Sequence, residues 1–171
     1  MVDQEGIERL PREGRLAGID FGTVRIGIAV CDVGQSLSSP FENYNRRNER
    51  LDAQYFLKLV AAEEIVGWVV GLPVHMSGDE SQKSQEARRF GAWLEQLTEV
   101  PVGYFDERYT TSMAREFLRE SGLSPKKRKA KLDQLAAHIL LAAFLESSRR
   151  TSPNHSLDDS EGDGQSSSSM T

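Results

Sequence analysis

The sequence predicts an α/β fold, a mixed sheet with helices on its faces. Three observations predict it. Leu16, Gly18 and Asp20 alternate with Ala17, Ile19 and Phe21, and Ile26, Ile28 and Val30 alternate with Gly27, Ala29 and Cys31, so residues 16–31 read as two strands joined by a tight turn at Gly22 and Thr23. Residues 65–72 are a continuous apolar run around Trp68, Val69 and Val70, the pattern of a strand covered on both faces. From residue 47 onward, helical periods alternate with short strand-like runs, the order that builds parallel strands with crossover helices.

The 171 residues suit one domain with tails, and 38% hydrophobic against 27% charged residues suffice for a packed core. Three segments are expected: a loose leader over 1–14, the folded domain over 15–150, and a disordered acidic, Ser-rich tail over 151–171. Residues 1–13 are too polar for a signal peptide, and no apolar run approaches the ~20 residues that span a bilayer. One cysteine, Cys31, rules out an internal disulfide framework; it reads as a small buried hydrophobe in a reduced, cytoplasmic setting.

The formal charge of −5 argues against a nucleic-acid partner until its distribution is considered. The tail carries Asp158, Asp159, Glu161 and Asp163 with no Lys or Arg, and without those four acids the chain holds 22 acidic against 21 basic residues. Such a tail has the chemistry to occupy a basic surface as a nucleic acid would. If it does, trimming it raises nucleic-acid affinity in a filter-binding assay; unchanged affinity removes the idea.

Taken in order, the first hairpin is followed by an edge strand over 36–45, since Pro40 disfavours a central position. Leu51, Tyr55, Phe56, Leu59 and Val60 mark a helix within 47–63. The strand 65–72 ends at Pro73, and a loop around Gly78 follows. A second helix over 81–97 carries Ala87, Phe90, Leu94 and Leu97 on one face. A short strand over 100–105 ends in Asp106-Glu107-Arg108. Thr110 or Thr111 caps a further helix with Met113, Ala114, Phe117 and Leu118 inward, closed by Gly122. The last helix, 127–149, buries Leu132, Leu135, Ala136, Ile139, Leu140, Ala143 and Phe144. Trp68 and Trp93 read as core residues.

Ligands of open α/β sheets gather outside the carboxyl ends of the strands. Asp20 ends the first strand, and Asp106 and Glu107 end the last. Asp133 sits on the helix face that carries Ala136, Ala137, Leu140 and Phe144, which directs it toward the sheet. Each acid also has a plain structural use: Asp20 and Asp106 in turns, Glu107 and Asp133 in ion pairs with neighbouring basic side chains. Together, at the ends of separate elements, they form a set of oxygen donors suited to Mg2+ or Mn2+, and two such ions about 3.5–4 Å apart activate water and stabilise a phosphodiester's leaving oxygen. His75, His138 and His155 have no zinc-site spacing, and His138 reads as a packed or surface residue. No P-loop, dinucleotide fingerprint or nucleophile elbow occurs. The basic run Lys126-Lys127-Arg128-Lys129, just ahead of Asp133, is either a solvated helix start or a phosphate contact. Arg25, Arg46, Arg47, Arg50, Arg88, Arg89 and Arg108 extend the basic surface to positions that spacing does not fix.

Asp20-Phe21-Gly22-Thr23, Arg25-Ile26-Gly27, Val70-Gly71-Leu72-Pro73, Asp106-Glu107-Arg108 with Thr110-Thr111, and Asp133 with Ala136-Ala137 resemble, in this order, the YqgF family. These are pre-16S rRNA nucleases, also described as Holliday junction resolvases, within the RNase H-like superfamily. The likeness runs from about residue 15 to 150. It implies a mixed five-stranded sheet, three strands in an antiparallel meander and the rest parallel, flanked by helices. It implies Asp20, Glu107 and Asp133 as the catalytic, metal-binding acids, with Asp106 an additional acid ranked below Glu107. Two departures are Val24, where the family often has Lys or Arg, and Ser77, where it often has Asp.

The expected function is metal-dependent hydrolysis of nucleic-acid phosphodiesters, with two Mg2+ or Mn2+ ions, Asp20 bridging them, and Arg25, Arg108 and the 126–129 run positioning phosphates. Pre-16S rRNA 5′-end processing is the favoured task. Resolution of branched DNA is the alternative, which requires a symmetric homodimer. A non-catalytic nucleic-acid-binding scaffold is a third reading. An actin-like ATP-binding fold, whose phosphate hairpin Asp-Phe-Gly-Thr also resembles, needs two related domains and does not fit this length.

Overall fold

The turn at 21–24 folds the chain back so that β1 (Arg15–Asp20) and β2 (Arg25–Cys31) pair antiparallel, with Asp20 opposite Gly27. The structure is a computed structural model that describes residues 5–73, 81–110, 116 and 119–151. β3 (Ser38–Asn45) adds antiparallel to β2, while β4 (Ile65–Leu72) and β5 (Val102–Asp106) add parallel on the other side, giving the order β3-β2-β1-β4-β5. This is the mixed five-stranded sheet that the family resemblance implied. β3 lies at the edge, and its pairing with β2 skips Phe41, so Pro40 sits at a bulge where its missing N–H does least harm.

Strand alternation divides the core between two faces. Ala17, Ile19, Trp68, Val70, Leu72 and Val102 face α1 (Glu49–Glu63) and α2 (Gln82–Thr98), which contribute Phe56, Leu59, Phe90 and Leu94. Leu16, Val69 and Phe105 face α3 (Pro125–Thr151), which contributes Leu140, Leu141 and Phe144. Asn48 accepts a hydrogen bond from the Leu51 amide at 2.9 Å to start α1, and Ser81 accepts one from the Ser84 amide at 3.1 Å to start α2. Pro125 opens α3, where a missing N–H is harmless. A side chain at position 18 would meet Leu141 Cβ at 2.9 Å and the Ala137 carbonyl at 3.0 Å, so Gly18 lets α3 approach β1 closely.

Three expectations are corrected. Residues 5–10 of the supposed loose leader are tied down: the Tyr104 amide donates to the Glu5 carbonyl at 2.8 Å, Glu5 pairs with Arg88 at 2.7 Å, and Leu10 is buried. The polar composition concealed this because the docking is largely through backbone and ion pairs, with Ile7–Arg9 forming a short 3-10 turn against β5. Second, Glu107–Thr110 form a 3-10 turn in which Thr110 donates to the Glu107 carbonyl at 2.6 Å, rather than opening a helix at once. Third, Trp93 is only partly buried against the core. Met113, Ala114, Phe117 and Leu118 lie outside the described residues, as do His75, Ser77, Gly78, Thr111 and the tail from 152; Glu116, Arg119 and Glu120 are helical, and Gly122 has φ of 61°. Among the described residues no helix is long and apolar enough to cross a membrane.

Candidate active site

At the carboxyl end of β1, Asp20 continues the face of Leu16 and Gly18 and points toward α3. A side chain at Gly27, across the hairpin, would come within 3.4 Å of Asp20 Cβ and 3.5 Å of Ala137 Cβ, so Asp20 stands beside the small-residue face of α3. Asp133 is one helical turn before Ala137 on that helix. It is exposed rather than shielded by the sheet.

The last strand separates its two acids by alternation. Phe105 faces α3, the next residue Asp106 turns to the α2 face, and Glu107 returns to the α3 face. Glu107 Oε1 lies 2.7 Å from where a Cβ on Gly71 would sit, with Leu140 Cδ2 at 3.1 Å from the same point. A side chain at position 71 would push that carboxylate from where it stands, which gives Gly71 in the Val70-Gly71-Leu72-Pro73 stretch a physical reason. Asp106 is 2% exposed and already occupied: it accepts from the Arg108 amide at 2.9 Å and from the Arg108 guanidinium at 2.8 and 2.6 Å. Arg108, expected at a phosphate, is therefore held by Asp106.

Asp20 and Glu107 are electrostatically unsettled. Burial, then the charge of Asp133, pushes the Asp20 carboxyl up to about 6. Burial, then the charges of Asp20 and Asp106, pushes Glu107 up to about 7. The mutual repulsion links the three proposed acids. Among the described residues, no three Asp, Glu, His or Cys side chains stand close enough together to hold an ion as placed.

One cation opposes this repulsion, and sequence reasoning missed it. Lys83 lowers both Asp20 and Glu107 from across the sheet edge. It is the second residue of α2, whose capping Ser81 hydroxyl donates to the Pro73 carbonyl at 2.7 Å, pinning the helix start to the end of β4. The available signal was Ser81 as a cap immediately after the β4 loop. Lys83→Met should lower cleavage at pH 7 about two- to fivefold, with recovery near pH 8.5, because both carboxylates would ionise later; a pH–rate profile checks this.

The remaining expected contacts scatter. Arg25 begins β2, exposed, on the face of Gly27 and hence of Asp20. Lys126, Lys127 and Lys129 are exposed in the first turns of α3, while Arg128 caps the preceding turn by donating to the Leu123 carbonyl at 2.5 Å. His138 is packed, its Nδ1 3.0 Å from Ser38 Oγ, and burial lowers its pKa.

This sheet order, with Asp20 at the carboxyl end of β1 and Glu107 just past that of β5, is that of an RNase H-like fold, and the family to which the chain belongs makes it a nuclease, a hydrolase of phosphodiester bonds. The chain belongs to the family described as "RuvX: Holliday junction resolvase", whose model matches residues 14–147. A protein of Rhodopirellula baltica named "Putative pre-16S rRNA nuclease" is 46% identical over 155 residues, covering 90% of this chain and 90% of that one. A protein of the same name from Rhodobacter capsulatus is 40% identical over 137 residues, covering 80% and 86%. Among solved structures, T. thermophilus RuvC in complex with a Holliday junction substrate aligns with a TM-score of 0.54 at 14% identity, over 81% of this chain and 97% of that one, a likeness of fold.

Proposed function

We propose that the domain over 15–150 is a divalent-metal-dependent nuclease that processes the 5′ end of pre-16S rRNA in the cytoplasm. The observation that carries the reading is the pair of half-buried carboxylates, Asp20 and Glu107, raised to about 6 and 7 with Asp133 adding to the repulsion. Like charges held at a sheet edge are costly unless a cation neutralises them. Their donor chemistry fits Mg2+ or Mn2+, hard cations that take carboxylate oxygens and fill their remaining positions with water and phosphate oxygens. Asp133, exposed in the third turn of α3, is the acid that would complete the set, which does not close as the side chains stand among the described residues.

Asp20, Glu107 and Asp133 would hold the metal, Asp20 between the other two. When bound, two divalent ions supply an activated water and charge stabilisation at the leaving oxygen. Lys83 opposes part of the repulsion between Asp20 and Glu107 and so limits how far both carboxyls are raised. Ionised carboxylates are needed for binding, so activity rises with pH through about 6 to 7.

The lysines at the start of α3 support a nucleic-acid substrate. Cations in a helix's first turn oppose its dipole, and α3 has no acid there. A phosphate backbone would offset that cost. Replacing Lys126, Lys127 and Lys129 by Ala should reduce the slope of log affinity against log salt by about 2–3, measured by filter binding.

The relatives' names support the pre-rRNA substrate. The family description and the RuvC-like fold favour a second reading, cleavage of four-way DNA junctions by a symmetric dimer. The deciding experiment gives the purified protein labelled pre-16S 5′ leader and a labelled four-way junction with Mg2+ or Mn2+, beside RNA 5′-end mapping after depletion. Leader cleavage with extended 5′ ends on depletion supports the first reading; symmetric nicking of the junction alone replaces it with the second.

A further inference from the structure

Across the sheet edge from the acids lies a cleft of about 460 Å³, within the range of small-molecule sites. Its floor is aromatic. Phe21 and Phe90 stand 5.1 Å apart, and Phe90 and Trp93 5.5 Å apart, between ring centroids. The Arg46 guanidinium lies over this floor, 5.3 Å from the Phe21 ring and 5.9 Å from that of Phe90. It is fixed there by Asp52 at 3.4 Å, and Asp52 in turn accepts from Tyr44 at 2.7 Å and the Arg47 amide at 2.9 Å. Arg47 and Arg89 line the mouth, exposed, and neither side chain hydrogen-bonds or ion-pairs with a described residue. Glu49 and Glu86 line the same cleft.

This mixture selects one ligand chemistry. A bare phosphate would meet two arginines but also two carboxylates and a wall of rings. A nucleotide uses all three: its base stacks on aromatic and guanidinium planes, its phosphate pairs with arginine, and its exocyclic amine donates to a carboxylate. Only an unpaired base can enter, since stacking in a cleft requires the base to leave its helix. Phe21 is the residue after Asp20. Adjacent Cα atoms are ~3.8 Å apart, and successive side chains point to opposite faces, so the cleft and the acids share one strand end.

We propose that the Phe21–Arg46–Arg89–Trp93 cleft binds an unpaired nucleotide of the substrate strand, neighbouring the phosphodiester presented to Asp20 and Glu107. Which strand it serves rests on the nuclease reading; binding itself does not.

The test uses the full-length chain carrying Asp20→Asn, so that binding is read without cleavage. Trp68 is fully buried, with its indole donating to Thr98 at 3.1 Å, so a fluorescence change on ligand addition reports Trp93. A short single-stranded oligoribonucleotide, the matching oligodeoxyribonucleotide and their blunt duplexes are titrated in turn. The proposal expects saturable quenching by a single strand, none by duplex, and about tenfold or more loss of affinity in Arg47→Ala/Arg89→Ala. RNA and DNA arms show whether the 2′-hydroxyl contributes. Trp93→Phe should abolish the signal and, since a ring remains to stack on, weaken affinity in a filter assay by no more than about threefold. Duplex quenching equal to single strand, or unchanged affinity in the double variant, overturns the proposal. With Asp20 intact, the double variant should raise KM about tenfold and spare kcat. Cleavage with unchanged KM defeats the cleft and leaves the nuclease; arginine-dependent quenching without any metal-dependent cleavage defeats the nuclease and leaves the cleft.

Discussion

Asp20→Asn is expected to reduce metal-dependent cleavage by about a thousandfold or more while raising the melting temperature of the metal-free protein at pH 8. The two effects have one cause. In the folded protein the Asp20 carboxyl titrates near 6, above its ordinary 3.8. Between those values the unfolded chain has released a proton that the folded chain keeps. Stability from this group therefore falls as pH rises from about 4 to about 7, and the full penalty stands at pH 8. An amide removes the charge and its repulsion with Glu107 and Asp133, a gain of about 1–3 kcal/mol or a few degrees. A variant that loses activity because it unfolds would show the opposite thermal shift. At pH 4, where Asp20 is largely neutral in the fold, the stabilisation should shrink toward zero. Differential scanning calorimetry at the two pH values, beside a cleavage assay, checks both halves.

The second large effect separates neighbours. Glu107→Gln should abolish cleavage and stabilise the metal-free protein at pH 8, since Glu107 is raised to about 7. Asp106→Asn should instead lower the melting temperature by about 5 °C, because it weakens the charged bonds that fix Arg108 to a buried acceptor. Its cleavage at permissive temperature should remain within about tenfold of the parent, as its side chain faces α2. Inverted results, with Asp106→Asn inactive and stable and Glu107→Gln destabilised, would exchange the two roles.

Those neighbours also show what the sequence could and could not reveal. Periodicity located β1, β2, β4 and α1–α3 closely, because each carries a strong apolar pattern and most have a cap, such as Asn48, Ser81 or Pro125. It also put Asp20 and Glu107 at strand ends. It left Asp106 and Glu107 unresolved, since that choice depends on the side chain two residues after Tyr104 facing α2 and the next facing α3. The room for Glu107 over Gly71 is a fact of the β4–β5 register, which no local pattern encodes. Lys83 was missed for a similar reason: its charge reaches the acids only because Ser81 binds the Pro73 carbonyl. The docked segment 5–10 looked loose because its anchors, Glu5 to Arg88 and Arg9 to Glu95, are polar pairs between distant positions. Arg47 and Arg89, forty-two positions apart by number, meet in one cleft only once α1 and α2 pack side by side.

The most direct test of the acidic centre is a Mn2+ titration of the full-length protein at pH 8, followed by melting temperature. A ligand that binds only the native state stabilises it as RT ln(1 + [L]/Kd). The parent protein should show a saturable rise, Asp106→Asn should show the same rise from its lower baseline, and Asp20→Asn and Glu107→Gln should show little or none. Equal Mn2+ stabilisation of the parent and Asp20→Asn would place the ion elsewhere and contradict the account.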